Sequence, residues 1–385
     1  MFRLQGDGLE GDVLTADIDG GPRRAAADYR LGTRSHPVAI TASEDLDRES
    51  DAFLALGLLP AMTLGVPLRL PGRVSTRLLA GAGRVQEVAR LWIEGGRIVD
   101  IEANSGAEPA PNEGRVGAFF SGGVDSFYTA LTNRERITDL IFVHGLDIPL
   151  SGNEELRRAA STMAHEVASA LGMHLIEVEA DVRSFSNRYV DWRYYNGSAL
   201  AAIGLLLQRR LKEVLIPATM SYTLLYPETP HPMVDPHWST ESLEFRSSGT
   251  EARRVEKIAF LANHELAMRH LRVCYQNRAG AYNCGECGKC VRTMTSLQVA
   301  GALEGCRTLP HDLDLGRVRR MRHSNTAQRV FALENLEALR RDGRQPRLAR
   351  AVRTSLLLSR LRNFGPIDRT IRRARMSRRW KPPSR

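Results

Sequence analysis

This sequence of 385 residues shows no scattered cysteine pairs, no recognisable leader pattern and no long uninterrupted apolar run. Its five cysteines include four within seventeen residues, which argues against a disulfide scaffold and predicts a reduced, cytoplasmic protein. Residues 1–7 show no basic segment before an apolar stretch, so no signal peptide is expected. The longest nearly uncharged run, residues 52–70, is interrupted by Pro60, Pro67 and two glycines. Buried core elements are therefore expected there rather than a membrane span.

Basic residues are spread unevenly along the chain. The formal net charge is +10, but residues 340–385 contain sixteen Lys and Arg against two Asp. That segment carries +14, which leaves −4 for the rest, so a basic nucleic-acid groove is not expected in the body of the protein. Residues 369–385 are predicted to form a basic, disordered tail. The tail could contact a nucleic acid, an anionic lipid surface or an acidic partner, or simply be solvated.

A glycine-rich stretch follows an apolar run at residues 116–120, which predicts a buried strand, and precedes a predicted helix at 126–136. No Gly-Lys-Ser/Thr follows, so the stretch is not a Walker A loop. Two glycines between a strand and a helix start let backbone N–H groups approach an anion, which the helix dipole also attracts. The predicted phosphate cradle consists of Ser121, Gly122, Gly123, Val124, Asp125 and Ser126. The carboxylate of Asp125 could hold a metal ion or position the loop.

Strands and helices alternate from residue 115 onward. Further strands are predicted at 140–144, 174–178 and 214–217, with helices at 153–171 and 198–211. This alternation predicts an α/β fold with a parallel, doubly wound, Rossmann-like sheet covered by helices on both faces. Ligands bind such sheets at the carboxyl ends of the strands. His144 ends a predicted strand and could contact a bound nucleotide or be an ordinary hydrogen-bonded histidine at the strand end.

Changes in composition divide the chain into four predicted regions. Residues 1–112 are expected to form a small α/β or α+β domain, with strands at 38–42 and 91–101 and a helix at 75–90. The remaining regions are the domain that contains the predicted phosphate cradle, at 113–305, a helical extension at 306–368 and the basic tail at 369–385.

Four cysteines stand close together near the end of the predicted domain at 113–305. They are Cys274, Cys284, Cys287 and Cys290, in the pattern C-x9-C-x2-C-x2-C. Soft thiolates at this density suit a tetrahedral zinc ion, and four protein ligands leave no open position, so the predicted role is structural. An iron–sulfur cluster and free core cysteines remain as alternatives.

The motif Ser-Gly-Gly-Val-Asp-Ser resembles the PP-loop of the N-type ATP pyrophosphatases, which cleave ATP between the α and β phosphates. Together with the cysteine pattern, residues 115–305 resemble the 7-cyano-7-deazaguanine synthase family. The resemblance implies ATP, Mg²⁺ and structural Zn²⁺ as cofactors. It also implies adenylation of a small carboxylate, followed by attack of ammonia or another nucleophile. By the same resemblance Asp125, Ser126 and Lys257 would be catalytic.

The substrate is where this sequence departs from that family. The proline-rich stretch at 221–250 does not look like the family's deazapurine-recognition segment, and it cannot be a regular helix. The candidate substrate residues within it are His231, Asp235, His237, Trp238, Ser239 and Thr240. The first four could instead bind a second metal or simply hold the loop in place. Residues 195–198 could complete the pocket or cap a helix. Further candidate cations are Arg183, Arg193 and Arg253.

Two other functions remain open at this stage. A PP-loop enzyme that modifies tRNA would fit the basic tail, but thiolation typically needs free cysteines and only Cys306 lies outside the four. A non-catalytic ATP-binding partner is the other alternative, although every position of the loop motif is intact. No membrane span is expected, and a homodimer is left open.

Overall fold

The computed structural model describes residues 12–47, 50–106 and 111–364. The predicted tail at 369–385 lies outside these residues. The strands are β1 (Leu14–Gly21), β2 (Arg24–Leu31), β3 (Arg34–Ala42), β4 (Leu68–Val74), β5 (Ile101–Ser105), β6 (Arg115–Phe119), β7 (Asp139–His144), β8 (His174–Asp181), β9 (Leu211–Pro217) and β10 (Glu244–Ser248). The helices are α1 (Ser50–Leu64), α2 (Thr76–Trp92), α3 (Val124–Thr132), α4 (Glu154–Leu171), α5 (Arg183–Tyr189), α6 (Trp192–Leu206), α7 (Arg254–Leu261), α8 (Glu265–His270), α9 (Gly288–Val299), α10 (Leu315–Arg320), α11 (Thr326–Asp342) and α12 (Pro346–Phe364).

The described residues group into two compact units. The first unit holds the residues up to Ala252 together with His270–Tyr282. The second holds Arg253–Arg269 and the residues from Asn283 onward. These divisions do not follow the boundaries near 112 and 305 that the composition suggested, and the reasons lie in the sheet and in the helical core.

All ten strands described belong to one sheet, in the order β10-β9-β6-β7-β8-β3-β2-β1-β4-β5. The first five strands in that order pair in parallel, which confirms the prediction of a mostly parallel α/β sheet. The chain places β7 and β8 on one side of β6, and then β9 and β10 on the other. This is the 3-2-1-4-5 strand order of Rossmann-like sheets, in which ligands bind where the order reverses. That point is the carboxyl end of β6.

Helices cover both faces of this parallel part. In β7 the side chain of Ile141 belongs to the core formed with α1 and α6. Leu140 and Phe142 are buried on the opposite face, because successive side chains of a strand point in opposite directions. There α4 packs against β7 and β8. The sheet is therefore wound on both sides, as expected.

The N-terminal strands continue the same sheet. Strands β1, β2 and β3 form an antiparallel meander, and β3 pairs antiparallel with β8 from Ala39 opposite Asp181 to Ala42 opposite Val178. Helix α1 lies against α6, where Tyr195 Oη donates to Leu56 O at 2.8 Å. The expected separate N-terminal domain is therefore not a unit of its own, since its strands and its core are shared with β6–β9.

The apolar run at residues 52–70 divides into α1 and β4. Almost every residue of α1 is buried, which explains why this helix lacks a polar face. The expectation of core elements here is confirmed. Across the residues the structure describes, no helix is both long and apolar enough to cross a membrane.

The second unit is helical. Its core joins Val291 of α9 with Val318 of α10, Leu336 of α11 and Val352 of α12. The helices after residue 306 thus share one apolar core with the helix that follows the cysteines. This shared core is the reason that no boundary appears near residue 305.

Three local predictions need correction. Residues 91–101 are not a strand, because α2 continues to Trp92 and β5 begins only at Ile101. The helix predicted at 198–211 begins earlier, at Trp192, where the Asp191 side chain accepts from Arg193 N as its N-cap. Residues 195–198 therefore lie inside a helix and do not cap it. The short strand β10 within the proline-rich stretch was not predicted.

Candidate functional site

The loop at residues 121–126 turns sharply from β6 into α3. Gly122 has a φ of 73°, in the left-handed region that glycine adopts without strain. The Ser126 hydroxyl accepts from Ser121 N at 3.2 Å and donates to Gly123 O at 3.1 Å. Because this buried hydroxyl is used inside the loop, Ser126 holds the shape of the loop.

Backbone donors are available in this loop. Within the described part of the chain, the N–H groups of Gly122, Gly123 and Val124 donate to no protein acceptor. They adjoin the first turn of α3, whose N–H groups lack intrahelical partners and carry the positive end of the dipole. A Cβ on Gly122 would stand 2.7 Å from Met163 Cε, so the end of that side chain would have to move. The arrangement is suited to binding an oxyanion.

A carboxylate stands beside these donors. Asp125 lies in the first turn of α3 and is partly exposed. Thr219 Oγ1 donates to Asp125 Oδ2 at 3.2 Å. Since Thr219 follows β9, which pairs with β6, the carboxyl ends of two neighbouring strands meet at this contact. Carboxylate oxygen is the ligand that Mg²⁺ prefers, so Asp125 fits the predicted metal role.

Arg272 is a neighbour of the loop that the sequence did not reveal. Its backbone N donates to Gly122 O at 2.8 Å, and its buried side chain donates from Nη2 to Asn277 Oδ1 at 2.7 Å. It lies two residues before Cys274, in a stretch without regular secondary structure. A single arginine before a cysteine carries no recognisable signal, so only the folded chain could identify it.

His144 lies on the α4 side of the sheet, at the end of β7. Its Nε2 is 3.3 Å from Glu177 Oε1, and Glu177 also accepts from Ser161 Oγ at 2.6 Å and contacts His165 Nε2 at 3.1 Å. These hydrogen bonds, that of His144 first, lower the pKa of Glu177 to about 2. His144 Nδ1 is buried without a partner among the described residues. The nucleotide contact of His144 stays a prediction.

The predicted substrate residues are mostly used to hold their own loop in place. Asp235 is fully buried, where Oδ1 accepts from His231 N at 2.9 Å and Oδ2 accepts from Ser247 Oγ at 2.5 Å. Burial raises the pKa of Asp235 to about 7. The ring of His231 accepts from Met233 N at 3.1 Å. These contacts tie the loop to β10 and to itself.

The remaining members of that group behave similarly. Ser239 Oγ accepts from Phe245 N at 3.0 Å, and Thr240 Oγ1 accepts from Leu243 N at 3.0 Å. Trp238 is fully buried and lines a small apolar crevice. Its Nε1 donor has no hydrogen-bond partner within the described residues. His237 is half-buried, with its carbonyl against α2. No hydrogen bond in the described chain joins residues 231–240 to the 121–126 loop.

Two predicted cations lie in the second unit. Lys257 of α7 is fully buried, so its ammonium group requires compensating partners. Arg253 caps α7 and pairs with Glu256 at 2.7 Å and Glu337 at 3.1 Å. Arg253 is thus engaged in ion pairs, while the catalytic role of Lys257 stays a prediction.

The four cysteine sulfurs of the 274–290 segment lie within 4.8 Å of one another. Within this set, Cys284 Sγ and Cys290 Sγ are 4.0 Å apart, and Cys287 Sγ and Cys290 Sγ are 3.4 Å apart. A zinc ion with Zn–S bonds of about 2.3 Å in tetrahedral geometry separates its sulfurs by about 3.8 Å. The sulfur spacing is therefore compatible with zinc.

Backbone donors also favour thiolates at this site. Cys287 N donates to Cys284 Sγ at 3.2 Å, and Cys290 N donates to Cys287 Sγ at 3.4 Å. Hydrogen bonding from Cys290 holds the pKa of the Cys287 thiol well below its usual range. Gly285, with a φ of 68°, makes the tight turn, and a Cβ there would meet Pro310 at 2.7 Å. The segment thus favours the deprotonated form of Cys287.

Comparison with known proteins adds no assignment. No protein-family model, no curated protein and no solved structure matches the chain. The fold and the two sites therefore carry the functional argument alone.

Proposed function

We propose that the protein is an ATP-dependent ligase of the PP-loop type, which releases AMP and pyrophosphate while it activates a small carboxylate for attack by ammonia or another nucleophile. The observation that carries the proposal is the row of backbone donors at Gly122, Gly123 and Val124, located where the strand order of the parallel sheet reverses. It is supported by the intact loop motif and by the carboxylate of Asp125 beside it.

The chemistry asks little of the protein beyond position and charge. A substrate carboxylate oxygen would attack the α-phosphorus, and pyrophosphate would leave with its charge held by the loop N–H groups. Asp125 would hold Mg²⁺, which supplies neutralisation of the phosphate charge. Ser126 keeps the loop in shape through its two hydrogen bonds. The nucleophile would then replace AMP on the activated carboxyl carbon.

We further propose that Cys274, Cys284, Cys287 and Cys290 hold a structural zinc ion. Four thiolates fill a tetrahedral site, so no position is left for a reacting group. All five cysteines are free of disulfides, which fits a reducing compartment such as the cytoplasm.

The central experiment incubates the protein with ATP, Mg²⁺, an ammonium salt and a panel of carboxylic acids that includes 7-carboxy-7-deazaguanine. AMP and pyrophosphate should appear in equal amounts with the correct acid, measured by chromatography and a coupled pyrophosphate assay. Formation of ADP and phosphate would contradict the proposal, and ATP binding without turnover on any acid would favour the non-catalytic alternative.

Two variants form a matched pair for this assay. Asp125→Asn removes the proposed metal ligand and should lower product formation by roughly a hundredfold or more. Asp312→Asn makes the same chemical change at an exposed residue of the second unit and should leave the rate unchanged. Equal rates in the two variants would remove Asp125 from the mechanism.

The zinc proposal has its own test. The protein should contain one equivalent of zinc by elemental analysis, and Cys287→Ser should lose the metal together with much of its thermal stability. Cys306→Ser replaces a buried cysteine outside the cluster and should keep the zinc. Iron with sulfide in place of zinc, or full stability of the metal-free protein, would overturn this assignment.

A further inference from the structure

Arg183 stands at the carboxyl edge of the parallel sheet, close after the end of β8. Its side chain is partly buried, and its guanidinium lies flat against a tryptophan, with Cζ 3.9 Å from the centroid of Trp192. Stacking covers one face of a guanidinium group, but its N–H groups point outward in the plane of the group and can still donate. Such a group can donate two parallel hydrogen bonds to an oxyanion.

Other partly buried arginines of the same unit are neutralised by carboxylates. Arg115 and Arg210 both pair with Asp139, at 2.7 Å and 2.9 Å, and Arg157 pairs with Glu179 at 2.8 Å. In the described chain the guanidinium of Arg183 has no carboxylate within 4.0 Å and makes no side-chain hydrogen bond. Its donors are therefore available to a ligand.

The aromatic support of Arg183 is fixed by the core. Trp192 opens α6, and its ring lies 6.1 Å from the ring of Tyr195. Tyr195 is fully buried and donates to Leu56 O at 2.8 Å. The buried Tyr195 thus supports the ring over which the guanidinium lies, and such preorganisation favours binding of a ligand with matching geometry.

A series of contacts links this position to the 121–126 loop. Burial lowers the pKa of Arg183, while the carboxylates of Asp147, which follows β7, and Asp191, the N-cap of α6, act to raise it. Asn277 Nδ2 donates to Asp147 O at 3.0 Å, and Asn277 Oδ1 accepts from Arg272 Nη2 at 2.7 Å. The backbone N of Arg272 donates in turn to Gly122 O. The carboxyl ends of β6, β7 and β8 thus surround one region.

We propose that Arg183, stacked on Trp192, binds the carboxylate of the substrate beside the nucleotide loop. The identification of the ligand as a carboxylate substrate rests on the proposed function. The existence of an oxyanion site at Arg183 rests on the geometry alone. The phosphate groups of a nucleotide can bind a guanidinium group in the same way as a carboxylate does. The experiment therefore compares a carboxylate with pyrophosphate.

Tryptophan fluorescence reports on this site without ATP or turnover. Benzoate should change the emission of the native protein in a saturable way, and benzamide, its neutral counterpart, should not. Trp192→Phe should remove the signal, since the guanidinium stacks on that ring. Arg183→Gln should weaken benzoate binding by roughly tenfold or more, and Arg183→Lys should recover only part of it.

Arg188→Gln is the matched control, because Arg188 is an exposed arginine of α5, the same helix as Arg183. It should bind benzoate like the native protein. A response to inorganic pyrophosphate but not to benzoate would assign Arg183 to the nucleotide phosphates and overturn the proposal. Equal benzoate binding in native protein and Arg183→Gln, or no response in native protein, would also overturn it. Failure of the ligase assay leaves these outcomes unaffected, so the two proposals fail separately.

Discussion

Two loops follow neighbouring parallel strands of the first unit and use their polar groups in opposite ways. The 121–126 loop after β6 is short, and three consecutive N–H groups in it donate to no protein acceptor that the structure describes. The 221–243 segment after β9 is long and rich in hydroxyl and imidazole groups. There the side chains of Asp235, Ser239 and Thr240 accept hydrogen bonds from backbone N–H groups of the same loop and of β10. Asp235 also accepts from the hydroxyl group of Ser247 in β10.

The difference separates binding from stability. A loop that leaves donors available can bind an anion at little cost in structure, while a loop whose polar groups are satisfied internally contributes rigidity. Substitutions in the first loop should therefore change ligand affinity, and substitutions around the second should change the free energy of unfolding.

The largest effect of a single substitution is expected where the long loop rests on α2. A Cβ on Gly81 would stand 1.9 Å from His237 O, so Gly81→Ala must push the loop backbone away. We expect a loss of about 3 kcal/mol in the free energy of unfolding, measured by urea denaturation. Gly83→Ala in the same helix meets no atom within 4 Å and should stabilise the protein by about 1 kcal/mol. Similar stability of the two variants would show that the loop does not depend on this contact.

The short loop should respond in affinity. Gly122→Ala places a side chain at a φ of 73° and against Met163, which disturbs the row of N–H donors. We expect binding of Mg²⁺-ATP to weaken by roughly tenfold or more in calorimetry. Gly114→Ala bears the same left-handed strain at a φ of 72° with no atom nearby, so it should bind ATP normally. Equal ATP affinity in both variants would refute the role of the loop.

The remaining prediction concerns the gradual dependence of stability on pH. Burial raises the pKa of Asp235 to about 7, so the folded state holds the proton more tightly than the unfolded state does. Stability should therefore decrease as the pH rises from about 4 to 7, by up to about 1.4 kcal/mol per pH unit. Asp235→Asn can accept from His231 N and donate to Ser247 Oγ, and should remove this decrease. Asp45→Asn, at an exposed position, should retain it, and an unchanged slope in Asp235→Asn would contradict the assignment.

The features that the sequence revealed are those encoded in adjacent residues. Two glycines between an apolar run and a helix start predicted the turn after β6, and the cysteine spacing predicted the sulfur cluster at 274–290. The alternation of strands and helices predicted the parallel strands β6 to β9 within a few residues. Local patterns suffice there because each element follows its neighbour directly in the sheet or the turn.

Local patterns could not predict which distant segments pair or which way a side chain points. The contacts of Thr219 and Arg272 with the 121–126 loop join residues that are about a hundred positions or more apart. The polar residues around Asp235 predicted a binding site, because composition does not tell whether a hydroxyl faces a ligand or a backbone amide. Pairing of β3 with β8 was equally invisible, and without it the N-terminal residues looked like a separate domain.

That pairing has a consequence for any shortened form of the chain. Strand β8 would be the outermost strand of the parallel part, and β3 covers four of its residues, from Val178 to Asp181. A chain that began near residue 113 would present those backbone groups to solvent as an open template for other strands, an arrangement that invites aggregation. The first hundred residues thus act as a built-in safeguard of solubility, whatever else they contribute.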